Sequence, residues 1–179
     1  MLIALLMPQS RQPILALSQE AVIKSGFVNA STEHLKKDHF NYNFKIRDLK
    51  GKEIDVQQFK GKTIFLNLWA TWCGPCRAEM PTIQKLYEGI GKEKIEFVIL
   101  SIDDEAMFRK VKTYVSSNEY TFPVYVTSGY LPDQLQVPSI PTTFVVDTTG
   151  LIVLKEVGMK NYNTSKFRKF IESLPSKKE

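Results

Sequence analysis

The chain contains two cysteines, Cys73 and Cys76, with Gly74 and Pro75 between them. An apolar run precedes the pair and a helical pattern follows it, so we predict that Cys73 lies where a buried strand passes into a helix. The unpaired amide groups and the dipole of a helix N-terminus stabilise an anion. They would lower the pKa of the Cys73 thiol, and the thiolate is the form of cysteine that attacks a disulfide.

The spacing of the pair assigns the two sulfurs different roles. We expect Cys73 to be the exposed nucleophile and Cys76, one helical turn further in, to be the buried thiol that resolves a mixed disulfide. Gly74 keeps the turn compact, and Pro75 loses no hydrogen bond because the first amides of a helix have no partner within it. The pair would cycle between dithiol and disulfide, and we expect no other cofactor.

Two other uses of the pair are weaker. A disulfide that closes so short a loop removes little chain entropy, so it would be a poor structural staple. A zinc site needs four ligands, and the two histidines of the chain, His34 and His39, both precede the cysteines in a polar stretch. The CxxC spacing beside a strand–helix–strand pattern is typical of redox chemistry, so we predict no metal.

The elements that must position the pair follow from hydrophobic periodicity, which predicts an α/β sheet. In order, we predict a hairpin (44–47 and 53–54), a helical turn (55–59), a strand (62–69), a helix (73–89), a strand (95–102), a helix capped by Asp103 or Asp104 (105–116), a strand (122–126), a hairpin (142–146 and 151–157) and a last helix capped by Thr164 or Ser165. In such sheets the reactive group lies at the carboxyl end of a strand.

We divide the 179 residues into an N-terminal extension, 1–39, and a domain, 40–179. Residues 1–7 are almost all apolar, but a bilayer span takes about 20 residues, and the basic region of a signal peptide is absent. They are either the end of a membrane anchor whose start is missing, which we favour, or a short apolar element that packs on the domain. A short helix (13–26) and a polar linker (29–41) complete the extension.

The composition favours one packed core and argues against a nucleic-acid partner. Hydrophobic residues make up 43% of the chain, which is enough for a single core. The net charge is +5, but the lysines and arginines are scattered and form no basic stripe.

Residues 69–81 read WATWCGPCRAEMP, which resembles the thioredoxin superfamily and, more closely, its TlpA/ResA-like branch of extracytoplasmic, usually membrane-anchored oxidoreductases. Three further segments are similar. Residues 140–144 resemble the cis-proline loop of the family, residues 104–126 resemble the central insert of the branch, and the hairpin before residue 62 resembles its N-terminal addition. The resemblance covers about residues 40–174 and implies a thioredoxin-like fold with an N-terminal β-hairpin and a central helical insert.

Pro141 is expected to follow a cis peptide bond, which fixes a tight turn; the alternative is an ordinary loop proline. A cis bond would present the backbone of Ile140 beside Cys73, where an extended substrate could pair in the manner of a β-strand. Trp69 is either part of an apolar rim or core. The residues that we predict to contact substrate are Trp72, Gly74, Pro75, Ile140 and Pro141.

Glu79 is the candidate for proton transfer. Thioredoxins carry a buried aspartate six residues before the first cysteine, but Asn67 stands there, and the strand 97–102 lacks the lysine that partners that aspartate. The TlpA/ResA-like branch instead has a glutamate three residues after the second cysteine, which corresponds to Glu79. We predict that Glu79 points toward the sheet and exchanges protons with Cys76; the alternative is a solvated helix glutamate.

The resemblance implies a thiol–disulfide reductase that acts on extracytoplasmic proteins such as apocytochrome c and receives electrons from a membrane thiol donor. Two alternatives remain. Thiol peroxidases share the fold, but their P-x-x-x-T-x-x-C pattern has a threonine where this chain has Ala70. The second alternative is a binding module that keeps the fold but has no catalytic activity.

Overall fold

The computed structural model describes residues 38–91 and 95–175. The predictions for the apolar run 1–7, the helix 13–26 and nearly all of the linker 29–41 lie outside these residues.

Seven strands form one sheet in the order β2-β1-β5-β4-β3-β6-β7. They are β1 (Lys45–Asp48), β2 (Glu53–Asp55), β3 (Thr63–Trp69), β4 (Ile95–Ser101), β5 (Val124–Ser128), β6 (Thr142–Val146) and β7 (Ile152–Val157). Strand β3 is parallel to β4, and β4 to β5, whereas β6 is antiparallel to both β3 and β7. The carboxyl ends of β3, β4, β5 and β7 therefore lie at one edge of the sheet, together with the start of β6.

Strand β3 is the buried centre of this sheet, and all seven of its residues are buried. Phe65 and Trp69 belong to one apolar cluster, and Leu66 and Leu68 belong to another. Successive side chains of a strand point to opposite faces, so the two clusters lie on opposite faces of the sheet. A strand covered on both faces requires a continuous apolar run, which is the pattern that predicted β3.

Three helices pack with the cluster of Phe65 and Trp69. They are α1 (Gly74–Gly89), α2 (Phe108–Ser117) and α3 (Ser165–Ser173). Each contributes buried apolar side chains, such as Ile83 from α1, Val111 from α2 and Phe167 from α3. None of the helices in the described part of the chain is long and apolar enough to cross a membrane.

The predicted α/β class, the N-terminal hairpin and the helical segment between β4 and β5 are confirmed. The helix predicted for 105–116 is wrong at its start, because Glu105–Met107 forms a 3-10 turn before α2 and the Asp104 side chain makes no capping hydrogen bond. Strand β5 begins two residues later than predicted. Thr164, one of the two predicted caps of α3, accepts the Phe167 amide at 3.1 Å.

Candidate active site

Cys73 and Cys76 form a disulfide with an S–S distance of 2.05 Å. Cys73 is the N-cap of α1 and Cys76 lies in its first turn, as predicted, and Cys73 Sγ accepts the Cys76 amide at 3.2 Å. Cys76 has no exposed surface, whereas Cys73 keeps 6%. Cys73 is thus buried in the disulfide form, although it is the more accessible of the two cysteines. The exposure predicted for the Cys73 thiol concerns the dithiol form and stays a prediction.

The Ile140–Pro141 peptide bond is cis, which confirms the prediction for Pro141. The Ile140 carbonyl oxygen lies 3.7 Å from Cys73 Sγ. The sulfur of a disulfide carries no proton, so this is a packing contact, whereas a Cys73 thiol could donate a hydrogen bond to the same oxygen. The loop is held on both sides of Pro141, because Pro141 O accepts the Gly158 amide at 2.8 Å and Thr142 Oγ1 donates to Ser139 O at 2.7 Å.

The two tryptophans before the disulfide have different environments. Trp72 is 65% exposed next to Cys73, which is the position expected for an apolar rim. Trp69 is fully buried, with its ring 5.4 Å from that of Tyr114, so it belongs to the core. The structure therefore brings Trp72 and the Ile140–Pro141 bond to the disulfide, where Gly74 and Pro75 form the start of α1.

The loop that carries Trp72 and Cys73 is fixed by Asp103, one of the two residues predicted to cap the helix after β4. The Asp103 carboxylate is 3% exposed and accepts hydrogen bonds from the Thr71 amide, the Thr71 hydroxyl and the Ser101 hydroxyl, each at 2.7 Å. Hydrogen bonds to a charged acceptor are stronger than neutral ones. A signal was available, because Asp103 directly follows the strand predicted for residues 95–102. In a strand–helix–strand unit the carboxyl ends of the two strands lie at the same end of the sheet.

Glu79 is fully buried on α1, which contradicts the alternative of a solvated helix glutamate. Its Oε1 accepts from Asn67 Nδ2 at 2.7 Å, and its Oε2 accepts from the Lys160 amide at 3.0 Å. Asn67 Nδ2 also donates to Thr143 Oγ1 at 2.8 Å. The position where thioredoxins carry an aspartate is thus occupied here by a side chain that hydrogen-bonds Glu79.

Burial raises the pKa of Glu79 to about 8, although the Lys160 amide, the Asn67 side chain and the Lys160 charge act to lower it. Burial also raises the pKa of Tyr162 well above its usual value, and the nearby Glu79 charge adds to the effect. Tyr162 therefore stays protonated, and Glu79 is the group of this cluster that can gain or lose a proton near neutral pH.

The described residues offer no metal site at the disulfide. Within residues 38–91 and 95–175, no group of three or more His, Cys, Asp or Glu side chains could hold a metal ion. His39 pairs with Leu151 at the β6–β7 turn. That turn is separated from Pro141 by the full length of β6, roughly 17 Å for five residues. His39 is thus too far from the cysteines to share a zinc ion with them, and His34 lies outside the described residues.

Comparison with known proteins gives consistent matches. The Redoxin family profile matches residues 35–171. The thiol-disulfide oxidoreductase ResA of Bacillus cereus (strain ZK / E33L) is 37% identical over 117 residues, which are 65% of this chain and 66% of that protein, just under two thirds of its length.

Solved structures with the same fold include StoA from Bacillus subtilis and an uncharacterized thioredoxin-like protein from Porphyromonas gingivalis. StoA is 24% identical, with a TM-score of 0.59 over 71% of this chain and 94% of the StoA chain. The second protein is 26% identical, with a TM-score of 0.59 over 74% of this chain and 90% of its own. The predicted thioredoxin-like fold is confirmed.

Proposed function

The chain belongs to the Redoxin family, and on that premise we propose that it is a thiol–disulfide oxidoreductase that reduces disulfides of extracytoplasmic proteins. The observation that carries the proposal is the Cys73–Cys76 disulfide at the junction of β3 and α1, beside a cis-proline loop. The similarity to ResA of Bacillus cereus supports the reaction type.

The reduction uses both thiols of the dithiol form. The Cys73 thiolate attacks one sulfur of the substrate disulfide, a mixed disulfide forms, and the other substrate sulfur leaves and takes a proton. Cys76 then loses its proton and attacks Cys73 Sγ. The mixed disulfide breaks, the second substrate sulfur leaves and takes a proton, and the Cys73–Cys76 disulfide forms. The substrate gains two electrons from the protein and two protons. Because Cys73 enters as the thiolate, the protein releases only the Cys76 proton, so water supplies the balance, and a thiol donor must restore the dithiol.

Substrate contacts are assigned to the surface around Cys73. Trp72 offers an exposed apolar ring, and Gly74 and Pro75 begin α1 at the disulfide. The Ile140 carbonyl, 3.7 Å from Cys73 Sγ, is positioned to accept a backbone hydrogen bond from an extended substrate, with Pro141 fixing the turn.

Glu79 is assigned the proton that Cys76 must lose before it attacks. The carboxyl group follows Cys76 by three residues on α1, which is within one helical turn. A group whose pKa is about 8 is a suitable base and acid for a thiol at neutral pH.

Trapping experiments test the assignment of the two cysteines. Reduced Cys76→Ser protein mixed with native, disulfide-bonded insulin should accumulate a mixed disulfide through Cys73, because no thiol is left to resolve it. Reduced Cys73→Ser protein should not. Non-reducing gels with mass spectrometry measure the adduct, and equal trapping by both variants would contradict the assignment. If the reduced protein instead consumes hydrogen peroxide without a protein substrate, the result would favour the alternative function of a thiol peroxidase.

Glu79→Gln tests the proton-transfer role. The variant should keep the fold and both thiols but slow insulin reduction by roughly tenfold or more, the usual scale for a lost proton-transfer group. Glu88→Gln, on the exposed side of the same helix, is the matched control and should keep the normal rate. If Glu79→Gln matched Glu88→Gln in rate and in thiol titration, Glu79 would have no part in the reaction.

We infer the location and the partners from the resemblance to the TlpA/ResA-like branch and from the apolar residues 1–7. The domain would face the extracytoplasmic side of a membrane, tethered through a segment ending near Met7, with a membrane thiol protein as electron donor and apocytochrome c among its substrates. Fractionation of the native full-length protein should place it with the membrane. Recovery in the soluble cytoplasm would contradict this location.

A further inference from the structure

A row of polar side chains crosses the largely apolar face of the sheet that the helices cover. Asn67 on β3 is paired with Thr143 on β6, and Thr143 is paired with Glu156 on β7. Their same-face neighbours along these strands, Phe65, Val145 and Leu154 among them, belong to the apolar cluster under α1 and α3. Because side chains alternate between faces, the three polar residues share that face with Glu79.

The row ends in an ion pair that reaches solvent. Lys160 Nζ lies 3.5 Å from Glu156 Oε2, and the two side chains are 25% and 10% exposed. The Lys160 amide donates to Glu79 Oε2 at 3.0 Å. Lys160 thus contacts the buried carboxyl through its backbone and faces water through its side chain, whereas Glu79 itself has no exposed surface.

We propose that Glu156 and Lys160 form the solvent end of the Glu79 site, and that Glu79 exchanges its proton with water on this β7 side of the protein. The inference rests on the proposed function, in which a bound substrate covers the surface around Cys73. A proton taken from Cys76 by Glu79 must then leave by another side. Strand β7 is the edge strand next to β6, two strands from β3, or roughly 10 Å from it.

The charges that face Glu79 have opposing effects. Cys76 lies on α1, the same helix as Glu79. Tyr162 and Lys160 lie in the connection between β7 and α3. The positive charge of Lys160 favours the ionised carboxylate, and Glu156 opposes that effect because it partly neutralises Lys160. Tyr162 stays protonated and contributes no charge. Removal of the Lys160 charge should therefore raise the pKa of Glu79, and removal of the Glu156 charge should lower it.

The test is the pH dependence of single-turnover insulin reduction by the reduced protein. Lys160→Met should move the Glu79-dependent limb of the profile to higher pH, and Glu156→Gln should move it to lower pH, each by roughly half a pH unit or more. The Lys160 amide belongs to the backbone, so Lys160→Met removes the charge and keeps the hydrogen bond to Glu79. Lys160→Arg and Glu156→Asp keep the charges and should restore the normal profile.

Two controls separate this inference from a structural effect. Lys155 is an exposed cation on β7 next to Glu156, but it lies on the opposite face of the sheet, with its Nζ 5.2 Å from the Phe144 ring centroid. Lys155→Met should therefore leave the pH profile unchanged. In a Glu79→Gln background neither Lys160→Met nor Glu156→Gln should shift the profile.

The outcomes distinguish the inference from the proposed function. If Glu79→Gln removes the limb but the two charge variants shift it in the same direction or not at all, the inference is wrong and the reductase assignment stands. If Glu79→Gln leaves the profile unchanged, the role of Glu79 and the inference both fail. If the wild-type protein does not reduce insulin at any pH, while Glu79 still titrates with the predicted opposite shifts by NMR, the proposed function fails and the charge coupling survives.

Discussion

A carboxyl group without solvent contact must be neutral or receive hydrogen bonds on its oxygens, and this requirement governs the site around Glu79. Asn67 and the Lys160 amide supply one hydrogen bond to each oxygen, yet burial still raises the pKa to about 8. The folded state therefore favours the protonated form. The contribution of protonated Glu79 to the free energy of unfolding is fully present below the ordinary pKa of 4.5. It is lost as the pH rises through about 8, at no more than about 1.4 kcal/mol per pH unit. A proton carrier that works near neutral pH has this energetic cost.

The fold places the Glu79 carboxyl and the disulfide in the N-terminal turns of α1. Strand β3 is buried on both faces, and it delivers Asn67 to the core and Cys73 to the start of α1. Helix α1 then returns over the sheet, so that Cys76 and Glu79 both face inward. From the neighbouring strand β4, the Asp103 carboxylate fixes the loop at Thr71. The geometry of the sulfurs thus depends on a charged hydrogen-bond acceptor on one side and the cis-proline loop on the other.

Most of the fold could be predicted because its signals are local. The apolar runs predicted β3 and β4, and the strand–CxxC–helix pattern predicted the position of Cys73. What the sequence did not reveal depends on tertiary pairing. Asp103 resembles a helix cap in sequence, but its partner is Thr71, 32 residues away. Lys160 acts on Glu79 through a backbone amide, which has no residue-type signal. Glu156 could have been found, because it follows Leu154 with the period of a strand and is charged where an apolar residue is expected.

The reactivity proposed for this site requires that Glu79, a buried acid, titrates near neutral pH in the folded protein. Carbon-13 NMR of the Glu79 side-chain carboxyl in the oxidised protein, followed from pH 4 to 10 with Glu79→Gln to assign the signal, tests this most directly. We expect a titration midpoint of about 8. A midpoint near 4.5, the ordinary value for glutamate, would contradict it.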